Sequence, residues 1–356
     1  MTESIRVGTR GSALATTQTG LVARRLDELT GRTTELVRVR TEGDVRTGSL
    51  SSMGGTGVFV TALRDALLAD RCDVAVHSLK DLPTTPHPGL TIVTPERENP
   101  RDALCAREGW TIATLPRGAK VGTGSPRRAA QLRGVRPDLD VVDIRGNVGT
   151  RLARAQGPDA DLDAVVLAHA GLARLGLLDA VTEVIDVRVM APAPGQGALA
   201  VEVRTASLDD TALAEALDAL DHLPTRLAVG AERALLAQLE AGCAAPVGAH
   251  ATVEDDVLTL YAVVARLDGV EQLTHSARAT LPSRAGRDEL DQVADDLGRR
   301  VADALLADGA GALAPLRATG PGTAPDTTPE STEGVGDAIE TARTTLRDGG
   351  YRGDPR

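Results

Sequence analysis

The segment His77-Ser-Leu-Lys-Asp-Leu-Pro83 sets a carboxylate, Asp81, beside Lys80, one of only two lysines in the chain. It directly follows the short apolar run Asp73-Val-Ala-Val-His77, so its polar residues fall at the end of a buried strand, where α/β sheets gather ligand groups. A carboxylate held there can stabilise a developing cation or shuttle a proton. On its own, the Lys80–Asp81 pair reads equally well as a surface ion pair. A second concentration is basic: from Arg117 to Arg154 there are nine cations and three anions, a local charge of +6 in a chain of −11. Within it, Lys120-Val-Gly-Thr-Gly-Ser-Pro-Arg-Arg128 runs from a strand into small residues, with Ser125 at a helix cap, Pro126 at the first helical position and Arg127 and Arg128 in the first turn. Cations at a helix start oppose the helix dipole, an arrangement that makes sense when an anion occupies the same end. Asp143-Ile-Arg-Gly-Asn-Val-Gly-Thr-Arg151 repeats the construction with Arg145 and Arg151, and Gly8-Thr-Arg-Gly-Ser12 supplies a third case in Arg10.

Any single arginine of this kind is accounted for by solvent or a surface carboxylate. Three strand-end groups together point to a polyanion-binding cleft between two α/β units. Carboxylates suit it better than a nucleotide, because no GxxxxGK[ST] occurs and Gly122-Thr-Gly124 lacks the third glycine of a dinucleotide fingerprint. Cys243 stands just beyond a long helical stretch in Leu239-Glu-Ala-Gly-Cys-Ala-Ala-Pro246. A helix C-terminus does not favour a thiolate, so it reads as a small buried residue or as a tether alkylated once. Cys72 and Cys105 lie in apolar surroundings and read as core. Three scattered cysteines and six histidines without metal spacing predict neither a disulfide framework nor a metal site.

The elements that must position these residues follow from periodicity. Ile5–Thr9 reads as a strand, Ser12 as the cap of a helix that stops at Gly31, and Glu35–Thr41 as a strand. Phe59–Ala69 reads as a helix, Asp73–His77 and Leu90–Thr94 as strands, and Pro95–Asp102 as a connecting loop. Lys120–Thr123, Asp140–Ile144 and Asp163–Leu167 follow as strands, each leading to a helix. The motif Ala193-Pro-Gly-Gln-Gly-Ala198 leads into the strand 199–203, which suggests a return to the first sheet. Residues 209–241 are strongly helical, 257–281 alternates as two strands around Asp268-Gly269, and a helix spans 285–307. These boundaries predict a discontinuous first domain (1–99 and 193–216), a second (100–192), a third α+β domain (217–312) and a disordered tail (313–356). With 1% aromatic residues and net acidity, a general nucleic-acid binder is excluded. No secretory signal and no transmembrane run are visible, so a reduced, cytoplasmic protein is expected.

Over residues 4 to 310 the sequence resembles the porphobilinogen deaminases, also called hydroxymethylbilane synthases. The resemblance rests on IRVGTRGSALA, GGTGVFV, DVAVHSLKDLPT, ERENPRDAL, VGTGSPRRAAQL, DIRGNVGTRL, LAHAGLARLG, APGQGALAVE and AERALLAQLEAGCAAPVGA in that order. It implies two periplasmic-binding-protein-like α/β domains around a cleft plus a small α+β C-terminal domain. It also implies a dipyrromethane cofactor attached to Cys243 by a thioether, onto which four porphobilinogen units are joined head to tail with loss of ammonia. Hydrolysis then releases hydroxymethylbilane. By the same resemblance Asp81 is the catalytic carboxylate, expected to bond pyrrole N–H groups and stabilise the azafulvenium-like cation. Lys80, Thr123, Ser125, Arg127, Arg128, Gly146 and Arg151 match cofactor-binding positions. Arg10, Ser12, Gln18, Arg145, Arg151 and Arg174 match substrate-binding ones, and Phe59 a loop aromatic over the site. A monomer is the family expectation. Thr56 and Thr61 stand where many members carry lysine, which leaves catalysis intact and bears on affinity. The competing expectation is a non-catalytic anion-binding protein of the same two-lobed architecture.

Overall fold

A computed structural model of the chain describes residues 4–39, 57–241, 245–314 and 316, with the side chains of 57–59 left aside. Strand β1 (Ile5–Thr9) leads through α1 (Ala13–Thr30) to β2 (Thr34–Arg38), then α2 (Gly57–Leu68), β3 (Val74–Ser78), a 3-10 turn (Leu79–Asp81) and β4 (Leu90–Val93). The chain continues with β5 (Asp102–Ala106), β6 (Lys120–Gly122), α3 (Pro126–Val135), β7 (Asp140–Val142), α4 (Val148–Gln156), β8 (Ala164–Ala168), α5 (His169–Arg174) and β9 (Glu183–Val184). It closes with β10 (Leu199–Arg204), α6 (Thr211–Leu220), α7 (Leu223–Gln238), β11 (Val247–Glu254), β12 (Val257–Ala265), β13 (Gln272–Thr280), α8 (Arg287–Ala307) and α9 (Ala310–Leu313).

Capping chemistry sets the first helix. The Ser12 hydroxyl accepts the amide of Ala15, and Gly31 ends α1 at φ 66°, a left-handed conformation that glycine adopts without strain. The helical stretch expected over 209–241 is two helices. His222 caps α7 with Pro224 in its first turn, and Asp221 accepts the Thr94 amide, so the break ties these helices to the first sheet.

Two five-stranded sheets share one plan. The first has the order β2-β1-β3-β10-β4 and the second β7-β6-β8-β5-β9. In each, four strands run in one direction and an insert, β10 or β5, runs antiparallel between the third and the last, supplied by the chain on its way between the sheets. The fold is therefore two α/β layers plus a third antiparallel sheet, β11-β12-β13, packed on α7 and α8. The apolar core of that third part includes Leu235, Leu258, Leu260, Leu297, Val301 and Leu305. Each such side chain contributes on the order of 1.5–3 kcal/mol on burial. Leu313 packs against the same core, and Ala314 and Leu316 are buried in it, residues that a tail beginning at 313 would leave out.

The two segments joining the sheets lie against each other. Gly197 has φ +89°, and a Cβ there would collide with the carbonyl oxygen of Glu98. Glu232 of α7, fully buried, gathers both segments: it accepts from Arg97 at 2.7 and 3.0 Å, from the Gly195 amide at 2.7 Å and from the Ala251 amide at 2.8 Å. One carboxylate thus fastens both crossings to the third part of the molecule.

Candidate functional site

Lys80, Arg127, Arg128 and Arg151 come together where the first sheet meets the second. The turn after β3 places Lys80 and Asp81 at the end of a strand that is buried along most of its length. Asp81 is half-buried, and among the described residues no donor bonds its carboxylate. Lys80 Nζ donates to Gln196 Oε1 at 3.4 Å, and Arg128 donates to the same oxygen at 3.3 Å. Burial draws the Lys80 ammonium down to about 8; Asp81 opposes this, and Arg128 adds to it.

At the start of α3 the Ser125 hydroxyl accepts the Arg128 amide at 3.4 Å, and Thr123 accepts the Ser125 amide at 3.2 Å. Arg127 and Arg128 are only 4% and 6% exposed. The external anion expected from their position has an internal counterpart in Asp102, the first residue of β5, which lies 2.8 Å from both guanidinium groups. Burial works to raise the Asp102 carboxyl, but the two arginines outweigh it and hold it near about 2. Gln196 completes the cluster, its amide donating to Asp102 at 2.8 Å and to the Pro100 carbonyl at 2.7 Å.

The start of α4 differs. Asn147 caps it, Gly146 turns at φ +112°, and Arg151 Nε donates to the Gly146 carbonyl at 2.8 Å. Burial lowers the Arg151 guanidinium below its ordinary value, and Arg128 and Arg145 lower it further, so three cations sit within mutual influence. Among the described residues Arg145 pairs with Asp143, at 3.0 Å and with both side chains at least half exposed. In this group five cations (Lys80, Arg127, Arg128, Arg145, Arg151) face three carboxylates (Asp81, Asp102, Asp143).

On the first-sheet side, Ser12 caps α1 and Gln18 reaches across to Ser78 at 3.2 Å, beside the Lys80–Asp81 turn. Arg10 follows β1 and is half-buried. Arg174 ends α5 and donates to the Gly197 carbonyl at 2.6 Å; with Glu98 and Arg25 it borders a cavity of about 450 Å³ against α1. Cys243 and Thr56 lie outside the described residues, as does the side chain of Phe59. Two participants were not anticipated, Asp102 and Gln196. The sequence signal for Asp102 is an Asp heading the apolar run DALCA, with two adjacent arginines at a helix start elsewhere; for Gln196 it is the polar residue inside GQG. Among the described residues no group of three or more His, Cys, Asp or Glu could hold a metal ion, and no helix is long and apolar enough to cross a membrane.

The chain is similar in sequence to known proteins along most of its length. The family model "Porphobilinogen deaminase, dipyromethane cofactor binding domain" matches residues 5–214, and "Porphobilinogen deaminase, C-terminal domain" matches 226–307. A porphobilinogen deaminase of Leifsonia xyli is 57% identical over 316 residues, 88% of this chain and 95% of the relative. One of Thermobifida fusca is 52% identical over 323 residues, covering 90% and 99%. Among solved structures, a ligand-binding component of an ABC-type import system from Staphylococcus aureus aligns with TM-score 0.36 at 13% identity, covering 65% of this chain and 73% of that one. The fold assignment stands on the strand order and not on that likeness. With a family model over more than half its length and relatives above half identity along most of it, the chain belongs to the porphobilinogen deaminase family.

Proposed function

We propose that Asp81 is the catalytic carboxylate of this deaminase, that Cys243 carries the dipyrromethane, and that the arginines at the starts of α3 and α4 hold its carboxylates. Membership makes the chain a transferase of tetrapyrrole biosynthesis acting on a pyrrole substrate, with a dipyrromethane-binding domain over residues 5–214. The observation that carries the residue assignment is the junction itself. A carboxylate without a bonded donor among the described residues, Asp81, sits on one side, and a desolvated excess of guanidinium groups sits on the other. That donor set fits the cofactor. Its pyrroles carry acetate and propionate groups, and planar guanidinium forks pair with carboxylates in two-point fashion. When bound, the dipyrromethane supplies the primer to which each new pyrrole is joined.

The protein's own groups supply the rest. Arg151 and Arg145 accept carboxylates that relieve their mutual repulsion. Lys80, charged below about pH 8, adds a further point of attraction. Asp81 stays close to the reacting pyrrole nitrogen, accepts its N–H and stabilises the cation that develops as ammonia leaves. Arg10, Ser12, Gln18 and Arg174 bind the incoming porphobilinogen, and Thr123, Ser125 and Gly146 line the cofactor side. Phe59, expected in a loop, stands in the first turn of α2, from where it covers the site. A division into three domains, a monomeric state, a cytoplasmic location and the lack of a nucleic-acid partner belong to the same proposal. In the test, Asp81→Ala and the wild type receive porphobilinogen and the bilane formed is measured. The variant should form less than about a hundredth of the wild-type product, and near-normal formation would remove Asp81 from the mechanism.

A further inference from the structure

Behind the Lys80–Asp81 turn lies a charged group that none of the roles above uses. Arg64 of α2, Glu202 of β10 and His77 of β3 are 8%, 0% and 7% exposed. The Arg64 guanidinium grips Glu202 at two points, Nε to Oε1 at 3.0 Å and to Oε2 at 3.2 Å, with the terminal nitrogen 2.8 Å from Oε1. His77 Nε2 lies 3.3 Å from Glu202 Oε2, so all three side chains meet at one buried carboxylate. Buried charges of this kind add little net stability over an apolar replacement of similar volume; what they fix is geometry.

The geometry in question is that of the catalytic turn. β3 and β10 pair with Ala200 opposite His77 and Leu199 opposite Ser78, and the Leu79 amide donates to the Ala198 carbonyl at 3.0 Å. The same strand ends therefore carry the charged group and the turn bearing Lys80 and Asp81. From the other side α2 packs Val60 into one apolar cluster with Leu79 and Leu82, the residues flanking Lys80–Asp81. Arg64 stands four residues along the same helix, one turn on, and holds that helix to β10. We infer that the Arg64–Glu202–His77 network is a positioning device for the reaction, fixing the end of β3 and, through it and Val60, the placement of the Asp81 carboxylate.

The inference rests on the role given to Asp81, so Asp81→Ala is assayed alongside. Three variants are compared in the full chain by thermal unfolding, cofactor loading by intact mass, and kcat and KM for porphobilinogen: R64M, the double variant R64M/E202M, and R64K. R64M strands a buried carboxylate and loses both stability and kcat. The double variant removes that carboxylate and recovers stability, yet its kcat stays about tenfold or more below wild type with KM within about twofold, because misplacement of a reacting group acts on the chemical step. R64K, keeping the charge but not the two-point grip, falls between. If R64M does not fold, the double variant and R64K decide. Wild-type kcat in the double variant, or kcat that falls and recovers in step with stability, overturns the inference. If that occurs while Asp81→Ala is inactive, only the positioning role fails; an active Asp81→Ala sinks the functional reading itself.

Discussion

The helices α3 and α4 begin with the same local construction and end in different electrostatic states. Both follow a strand of the second sheet, both are capped by a polar side chain, and both place arginines at their first turns. At α3 the two guanidinium groups are buried and share the carboxylate of Asp102, with Gln196 and backbone carbonyls taking further donors. At α4 Arg151 has a backbone carbonyl and two neighbouring cations, and Arg145 an exposed pairing with Asp143. The pattern strand, small residues, cap, arginine therefore does not by itself define a ligand site. What separates the two is whether the fold supplies an internal carboxylate. The α3 pair, compensated from within, is the wall of the proposed site, and the α4 pair carries the less compensated charge.

The largest effect should come from breaking the wall. Asp102→Ala leaves two buried guanidinium groups uncompensated, which costs about 3–5 kcal/mol of unfolding free energy in denaturant titration. A loss under about 1 kcal/mol would mean that solvent or a ligand already neutralises them. Arg151→Ala should do the opposite. It relieves repulsion in the free protein, so the unfolding midpoint holds or rises. Losing a charge-assisted contact of roughly 1.5–3 kcal/mol weakens carboxylate binding about ten- to a hundredfold. A lowered midpoint with unchanged KM would reverse the roles assigned to the two helix starts.

The smallest effect is one of pH and tests the group between them. Lys80 has its proton affinity lowered from 10.5 to about 8, so between these values the unfolded chain binds more protons than the folded one. Stability therefore gains from this residue as pH rises through that window, while attraction for carboxylates is lost. KM for porphobilinogen should climb above about pH 8, and Lys80→Arg, which keeps its charge, should move that limb upward. An unmoved limb would assign it to another group.

Much of this was legible beforehand. Ser12 and Gly31 marked both ends of α1, and the spacing of strands and helices gave the first half of each sheet, because capping and periodicity are local. The insert strands were harder. β10 was legible as an apolar run after GQG, but β5 was not recognised as a strand, since Asp102–Ala106 is buried on every residue and shows no alternation. β11 carries a glycine and a histidine, and its pairing with β12 is set by the third sheet and not by its own sequence. Asp102 and Gln196 went unnoticed for the same reason: their partners are 25 or more residues away, across a crossing. The local pattern around Arg127 and Arg128 asks for an anion but does not show that Asp102 supplies one from within the chain.

The proposed function turns on Cys243 carrying the growing product. Intact mass of the unfolded wild-type protein and of Cys243→Ala tests it most directly, before and after a pulse of porphobilinogen. The account predicts an adduct of two pyrrole units on the wild type, further single-pyrrole increments after the pulse, and neither adduct nor turnover in the variant. A fully active wild-type preparation without any adduct, or turnover by Cys243→Ala, would contradict it.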